Sequence, residues 1–330
     1  MVSEIPSHTK HDSKFFNVAQ GVWGMKDIFV NFYMVSNPED HTWVLIDTGL
    51  KTSASKIKTM AAEIFGEGAK PSCIILTHAH FDHVGSLGKL LEEWNVPVYA
   101  HYLEMPYLTG KSSYPPPDPF VGGGVMPLTS VFFPLGPINV WNHMDVLNED
   151  GSLPNLPGWK YLHTPGHAPG HISLYRESDG LLIAGDAFIT TDQQSALSIM
   201  FQTEILMGPP KYFTYDWDLA EQSVKDLMDL EPEIVATGHG KPMRGTEMQK
   251  ALRDLYYNFE DVAIPNGGRY VDDPAVADAT GFIYIPPKSF NKRGFILSLL
   301  GLTAVVATLF VLNNKKTKKD RGFQKKNYYK

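Results

Sequence analysis

Cysteine is nearly absent from this chain: Cys73 is the single one among 330 residues. One thiol excludes an intrachain disulfide framework and any cluster held by several thiolates. Long apolar runs are almost as scarce. Only Gly294–Leu312 passes 19 residues without a charge or a proline, which excludes a multi-spanning membrane protein. No apolar run near Met1 resembles a signal peptide, so the amino-terminal part is expected to stay in the cytoplasm. Positive charge is outnumbered over most of the chain. The tail Asn313–Lys330 carries net +7 and Lys288, Lys292 and Arg293 add three more, so residues 1–287 carry −17 although the whole chain carries −7. A part that acidic is a poor partner for nucleic-acid backbone, and no nucleic-acid role is expected.

What remains is ample for a core. Hydrophobic residues make up 43% and aromatics 12% of the sequence, enough to exclude disorder. The pattern mixes strands and helices, an α/β class. Residues 1–20 are polar and are expected to form an extension, and 21–287 one large domain. Ile28–Val35 and Thr42–Ile46 read as a hairpin. A helix should follow, with Ile57, Met60, Ala61 and Ile64 on one face, Ser53 as its cap and Gly66 at its end. Leu87–Trp94 reads as another helix. Asp218 and Glu221 suggest a capping box for a helix over Leu219–Leu230. Short strands are expected at Cys73–Leu76, Val96–Ala100, Ile172–Tyr175, Leu181–Ala184 and Ile234–Ala236. Polar clusters recur at strand ends.

The densest cluster is His78-Ala-His80-Phe-Asp82-His83, directly after the Cys73–Leu76 run. Four candidate ligands in six positions put several lone pairs at one strand end. Neutral imidazoles and a carboxylate suit zinc, manganese or ferrous iron, with no need of sulfur. His167 lies in a Pro/Gly-bounded loop after a strand, Asp186 ends a strand, and His239 sits between Gly238 and Gly240 after another. Glycine there lets the backbone approach closely and aim the imidazole inward. Cys73, within a strand, reads as core.

This constellation resembles the metallo-β-lactamase superfamily, in particular its dinuclear zinc hydrolase branch of glyoxalase II-like and lactonase-like enzymes. The resemblance covers Asp47 to His239. It implies a four-layer αβ/βα sandwich with the metals at one edge. His78, His80 and His167 would hold one divalent ion, Asp82, His83 and His239 a second, and Asp186 would bridge them. The ions would be Zn2+, with Mn2+ or Fe2+ as alternatives. Asp47 matches the family's Asp-x-Gly strand end and would support the ligands from behind. A metal-bridging hydroxide would cleave an ester, lactone, thioester or amide of a small molecule, with Asp82 and Asp186 as the catalytic carboxylates. Ile189 stands where lactonases of this branch often carry tyrosine, and Gly85-Ser86 where glyoxalase II enzymes carry a double glycine. Alternatives are a mononuclear iron dioxygenase of the same fold and a non-catalytic, membrane-tethered binding protein.

A loop-rich insertion is expected over about residues 103–159, with Tyr107, Tyr114, Phe120, Phe132, Phe133 and Trp141 as pocket or packing aromatics. Gly294–Leu312 would span about 28 Å as a transmembrane helix. That gives a single-pass membrane protein with a cytoplasmic catalytic domain, a basic tail at 313–330 and the membrane as partner.

Overall fold

The computed structural model describes residues 15–192 and 204–287. Strands β1 (Phe15–Ala19), β2 (Val22–Asp27), β3 (Val30–Ser36) and β4 (Trp43–Ile46) form an antiparallel meander. Strands β5 (Cys73–Ile75), β6 (Val98–Ala100) and β7 (Met144–Val146) then add in parallel, completing a seven-stranded sheet. β1 lies inside the stretch read as an extension. A second sheet, of five strands, has the order β12-β11-β10-β9-β8. It comprises β8 (Trp159–His163), β9 (Ile172–Arg176), β10 (Leu181–Ile183), β11 (Ile234–Ala236) and β12 (Met243–Arg244). A separate hairpin joins β13 (Val276–Asp278) to β14 (Gly281–Tyr284).

Strand periodicity explains why the two sheets stack. Tyr33 and Val35 of β3, Val44 and Ile46 of β4, and Cys73 and Ile75 of β5 pack against Ile172, Leu174, Leu181 and Ile183 of the second sheet. Their alternate neighbours, Phe32, Met34, Trp43, Leu45 and Ile74, face the other way, onto helices α1 (Ala54–Phe65) and α3 (Leu87–Trp94). The short α2 (Phe81–Val84) lies between those two helices in the chain. On the far side, Leu182 and Val235 meet α6 (Trp217–Met228) and α7 (Gly245–Tyr257), with α8 (Phe259–Val262) beside them. The result is helix, sheet, sheet, helix: the expected four-layer αβ/βα sandwich. Cys73 is buried in the layer between the sheets, as its strand position suggested, and burial pushes its thiol up to about 11.

Local signals survive with changes of detail. In α3, Leu87, Leu90, Leu91 and Trp94 are buried at helical spacing, and Asn95 ends the helix in a left-handed conformation. Ser53 precedes α1, but its hydroxyl donates to Asp27 Oδ2 at 2.6 Å instead of capping. α6 begins earlier than expected because Asp216, not Asp218, accepts the Leu219 N–H. The segment 103–159 is more structured than a loop. It holds α4 (Met105–Leu108) and α5 (Val125–Thr129) and supplies β7 to the edge of the first sheet.

The expected C-terminal transmembrane helix is corrected. Among the described residues no helix is long and apolar enough to cross a membrane. The longest of them, α7, has 13 residues and one buried face, about 20 Å against a hydrocarbon core of roughly 30 Å. The run 294–312 and the tail 313–330 lie outside the described residues. The transmembrane helix, the membrane as partner and the single-pass location with a cytoplasmic catalytic domain therefore have no support among the described residues.

Candidate metal centre

Strand direction brings the candidate ligands to one edge. β4 and β5 run parallel, and Asp47 follows the first while His78 follows the second. β10 and β11 run parallel, and Asp186 and His239 lie just beyond their ends. β8 shares that direction because it and β10 are both antiparallel to β9, so His167 joins the same edge. The sheets are stitched together there. Ile172 N donates to Thr77 O at 3.0 Å, and Asn31 N donates to Gly238 O at 2.7 Å. The Asn31 amide also donates to Thr237 O and Gly240 O, and the Tyr33 hydroxyl to Thr237 O at 2.6 Å.

All seven predicted side chains meet. The ligand atoms of His78, His80 and His167 lie within 4.8 Å of one another, and the same holds for Asp82, His83 and His239 and for His78, His83 and Asp186. His80 Nδ1 is 3.0 Å from His167 Nε2. Asp186 Oδ2 is 3.0 Å from His239 Nε2, 3.5 Å from His167 Nε2 and 3.6 Å from His83 Nε2. Asp82 Oδ2 is 3.6 Å from His239 Nε2. Asp186 thus sits between the two triads. Gly238 makes room for it: a Cβ there would fall 2.0 Å from Asp186 Oδ1 and 2.8 Å from the His83 ring.

Each imidazole is held by one nitrogen and turns the other inward. His78 Nδ1 meets Thr77 Oγ1 at 3.0 Å, His83 Nδ1 meets Asp47 Oδ2 at 2.8 Å, and His239 Nδ1 meets Phe29 O at 2.8 Å. His80 uses Nε2, 3.2 Å from the Tyr215 hydroxyl, and its ring stacks on Phe213. His167 Nδ1 faces Thr214 Oγ1 at 3.5 Å. Such outer contacts fix ring orientation and leave a lone pair for the interior. Asp47, in a left-handed conformation that aspartate tolerates, accepts from Thr77 N and Thr77 Oγ1 as well as facing His83. His171 accepts the Asp186 N–H at 2.8 Å and so fixes the backbone of the central carboxylate.

The donor set fits a divalent cation. His78 Nε2, His83 Nε2 and Asp186 Oδ1 are buried without a hydrogen-bond partner, a state native cores avoid. Five imidazoles and two carboxylates match zinc, manganese or ferrous iron. The electrostatics agree. Burial and the neighbouring imidazoles hold His78 and His80 well below the ordinary histidine range, and burial pushes His167 down to about 3, so these rings are neutral donors. Burial works against charge on Asp186, yet the His239 and His83 rings outweigh it and hold its carboxyl well below the usual range. Burial also opposes charge on His83 and His239, but Asp186 drives both upward. The pocket of carboxylates attracts positive charge.

The family model of the metallo-beta-lactamase superfamily matches residues 25–239. The chain belongs to the metallo-beta-lactamase superfamily. A probable metallo-hydrolase of Bacillus subtilis, YflN, is 46% identical over 241 residues, covering 73% of this chain and 91% of the relative. A second from the same organism, YybB, is 29% identical over 231 residues, covering 66% and 86%. A beta-lactamase domain protein from Burkholderia ambifaria shares the fold with a TM-score of 0.53 at 20% identity, over 77% of this chain and 78% of that one. This superfamily member is an enzyme of the metallo-hydrolase class, and its His/Asp cluster is suited to divalent ions.

Sequence reasoning missed several parts of this metallo-hydrolase site. Asn31, Tyr33, Tyr215 and Glu104 act through contacts distant in sequence and stand in no recognisable motif. The aromatics of 103–159 divide. Tyr107 and Tyr114 are buried, Phe133 packs on Phe81 and Phe213, and Phe132 and Trp141 are exposed.

Proposed function

We propose that this protein is a dinuclear metal-dependent hydrolase acting on an ester, lactone, thioester or amide bond of a small molecule. The observation that carries the reading is the convergence of two ligand triads on one shared carboxylate, Asp186. His78, His80 and His167 would hold one ion, Asp82, His83 and His239 the other. When bound, such ions supply an activated water at neutral pH and polarise the acceptor oxygen.

The chain's own residues do the rest. The five buried imidazoles present fixed lone pairs and exclude bulk water, which strengthens every electrostatic contact inside. Asp186 offsets the repulsion between two cations. Asp82, 3.6 Å from His239 Nε2 and grouped with His83, and Asp186 are the two carboxylates that would carry a proton to the leaving group. Beside the His78–His83 turn opens a cavity of about 540 Å³ lined by Leu50, Phe81, Val84, Pro134 and Ile138, with Lys51 at its wall.

Elemental analysis of the purified protein, coupled to a panel of esters, lactones, thioesters and amides of graded acyl length, tests the reading. Two divalent ions per chain and chelator-sensitive hydrolysis are expected. A metal-free protein, or turnover indifferent to chelator, would overturn it.

A further inference from the structure

Between the ligands His78 and His80 stands Ala79, and its backbone N–H points at a carboxylate from a different part of the chain. Glu104 Oε2 accepts that N–H at 2.9 Å and also accepts the Tyr114 hydroxyl. Its other oxygen, Oε1, accepts the N–H of Gly170 at 2.7 Å. Gly170 belongs to the loop that carries His167 and leads into His171. One side chain, with no solvent exposure, therefore grips both loops that deliver His78, His80 and His167.

Burying a carboxylate on neutral donors alone is costly, and a merely apolar filler would pack the same space more cheaply. The surroundings are nonetheless built for it. A Cβ on Gly170 would fall 2.8 Å from Glu104 Cγ and 3.0 Å from Oε1, so only glycine admits the contact. Tyr114 shares the Ala79 N–H at 3.1 Å and lays its ring against His80, centroids 4.3 Å apart. The grip extends one residue further, because His171 holds the Asp186 N–H.

We propose that Glu104 is a positioning residue of the metal centre, a single carboxylate that ties the His78–His80 turn to the His167 loop at the spacing three imidazoles need to share one ion. Tyr114 is its partner, orienting the carboxylate and bracing the His80 ring. This inference rests on the dinuclear reading above. Neither residue touches a ligand nitrogen by hydrogen bond; both act through the backbone and ring that carry one.

Glu104→Gln keeps the shape but turns an NH2 toward one of three donors, so it must release one loop. The test uses the full chain, stripped with chelator and titrated with Zn2+ against a competing chromophoric chelator, with melting of the stripped protein recorded in parallel. Wild type is expected to bind two ions, and Glu104→Gln to lose roughly 10- to 100-fold in Zn2+ affinity at one of the two sites, as outer supports of metal ligands do. Tyr114→Phe removes one donor while keeping the ring, and is expected to fall between the two; it carries the test should Glu104→Gln not fold. Unchanged Zn2+ affinity in the folded variants, with only a lower melting temperature, would overturn the inference and leave the dinuclear reading standing. A wild-type chain that takes up no metal would overturn that reading and this one together.

Discussion

His80 Nδ1 and His167 Nε2 face each other at 3.0 Å although 87 positions separate the two residues. Both rings are buried and neutral, and each is anchored on its other nitrogen. Two inward lone pairs at that spacing repel unless a proton or a cation lies between them. Around Asp186 the carboxylate instead draws positive charge onto His83 and His239, and both effects make the ligands' dependence on one another measurable.

Asp186→Ala removes the carboxylate shared by both triads. Metal content measured by elemental analysis is expected to fall from about two ions per chain to one or fewer, with hydrolysis lost at least as fully as the 10- to 100-fold typical of outer supports. Full occupancy and unchanged turnover in that variant would count against the bridging role.

Asp47 acts one layer out, holding His83 Nδ1 and both donors of Thr77. Asp47→Asn keeps the size but replaces one acceptor oxygen with a donor and removes the charge that supports the His83 ring. A drop of about 10- to 100-fold in metal affinity or activity is expected. Chelator competition reads it, and wild-type affinity would mean that His83 is oriented by something else.

Gly238→Ala places a Cβ 2.0 Å from Asp186 Oδ1. Neither backbone nor carboxylate can retreat without disturbing His83 or His239. Overpacking of this kind costs about 1–3 kcal/mol, and the expected result is a lowered melting temperature together with weakened metal uptake. A variant that melts and binds metal like wild type would show that the site relaxes more freely than its packing suggests.

Burial pushes the Glu104 carboxyl up to about 7, while its Tyr114, Gly170 and Ala79 donors pull the other way. The native state then keeps a proton that the unfolded chain releases near its ordinary value of about 4.5. Its contribution is fully present below the unfolded pKa and is lost as pH rises through the folded one, a change on the order of 3 kcal/mol. Glu104→Gln does not titrate. Urea unfolding of the metal-free proteins at about pH 4.5, 6 and 8 should therefore show wild type losing stability relative to the variant across that window. A difference that stays constant would mean that Glu104 is ionised throughout.

Much of the centre was legible because its chemistry is local. His78, His80, Asp82 and His83 share one turn, and Asp186 and His239 close short apolar strands beside glycine. The β-rich runs Ile28–Val35 and Thr42–Ile46 likewise announced a pair of strands, though not that Phe32 and Leu45 would be buried on one face and Tyr33 and Val44 on the other. What was not legible rests on contacts between distant segments. Glu104 looks like any acidic residue until Ala79 and Gly170 are seen to converge on it. Asn31 gives no sign of clasping the His239 loop. Asp216 and Asp218 compete to cap α6, and only the geometry of the chain entering the helix selects the former.

The sequence alone determined the donor chemistry, the strand ends that carry it and the family, because residue type and short-range spacing set what lone pairs a turn can offer. Tertiary structure decided that the donors meet, that Asp186 lies between the triads, and which buried groups hold the rings in place. Those are facts of strand direction and sheet packing, and no run of neighbouring residues encodes them.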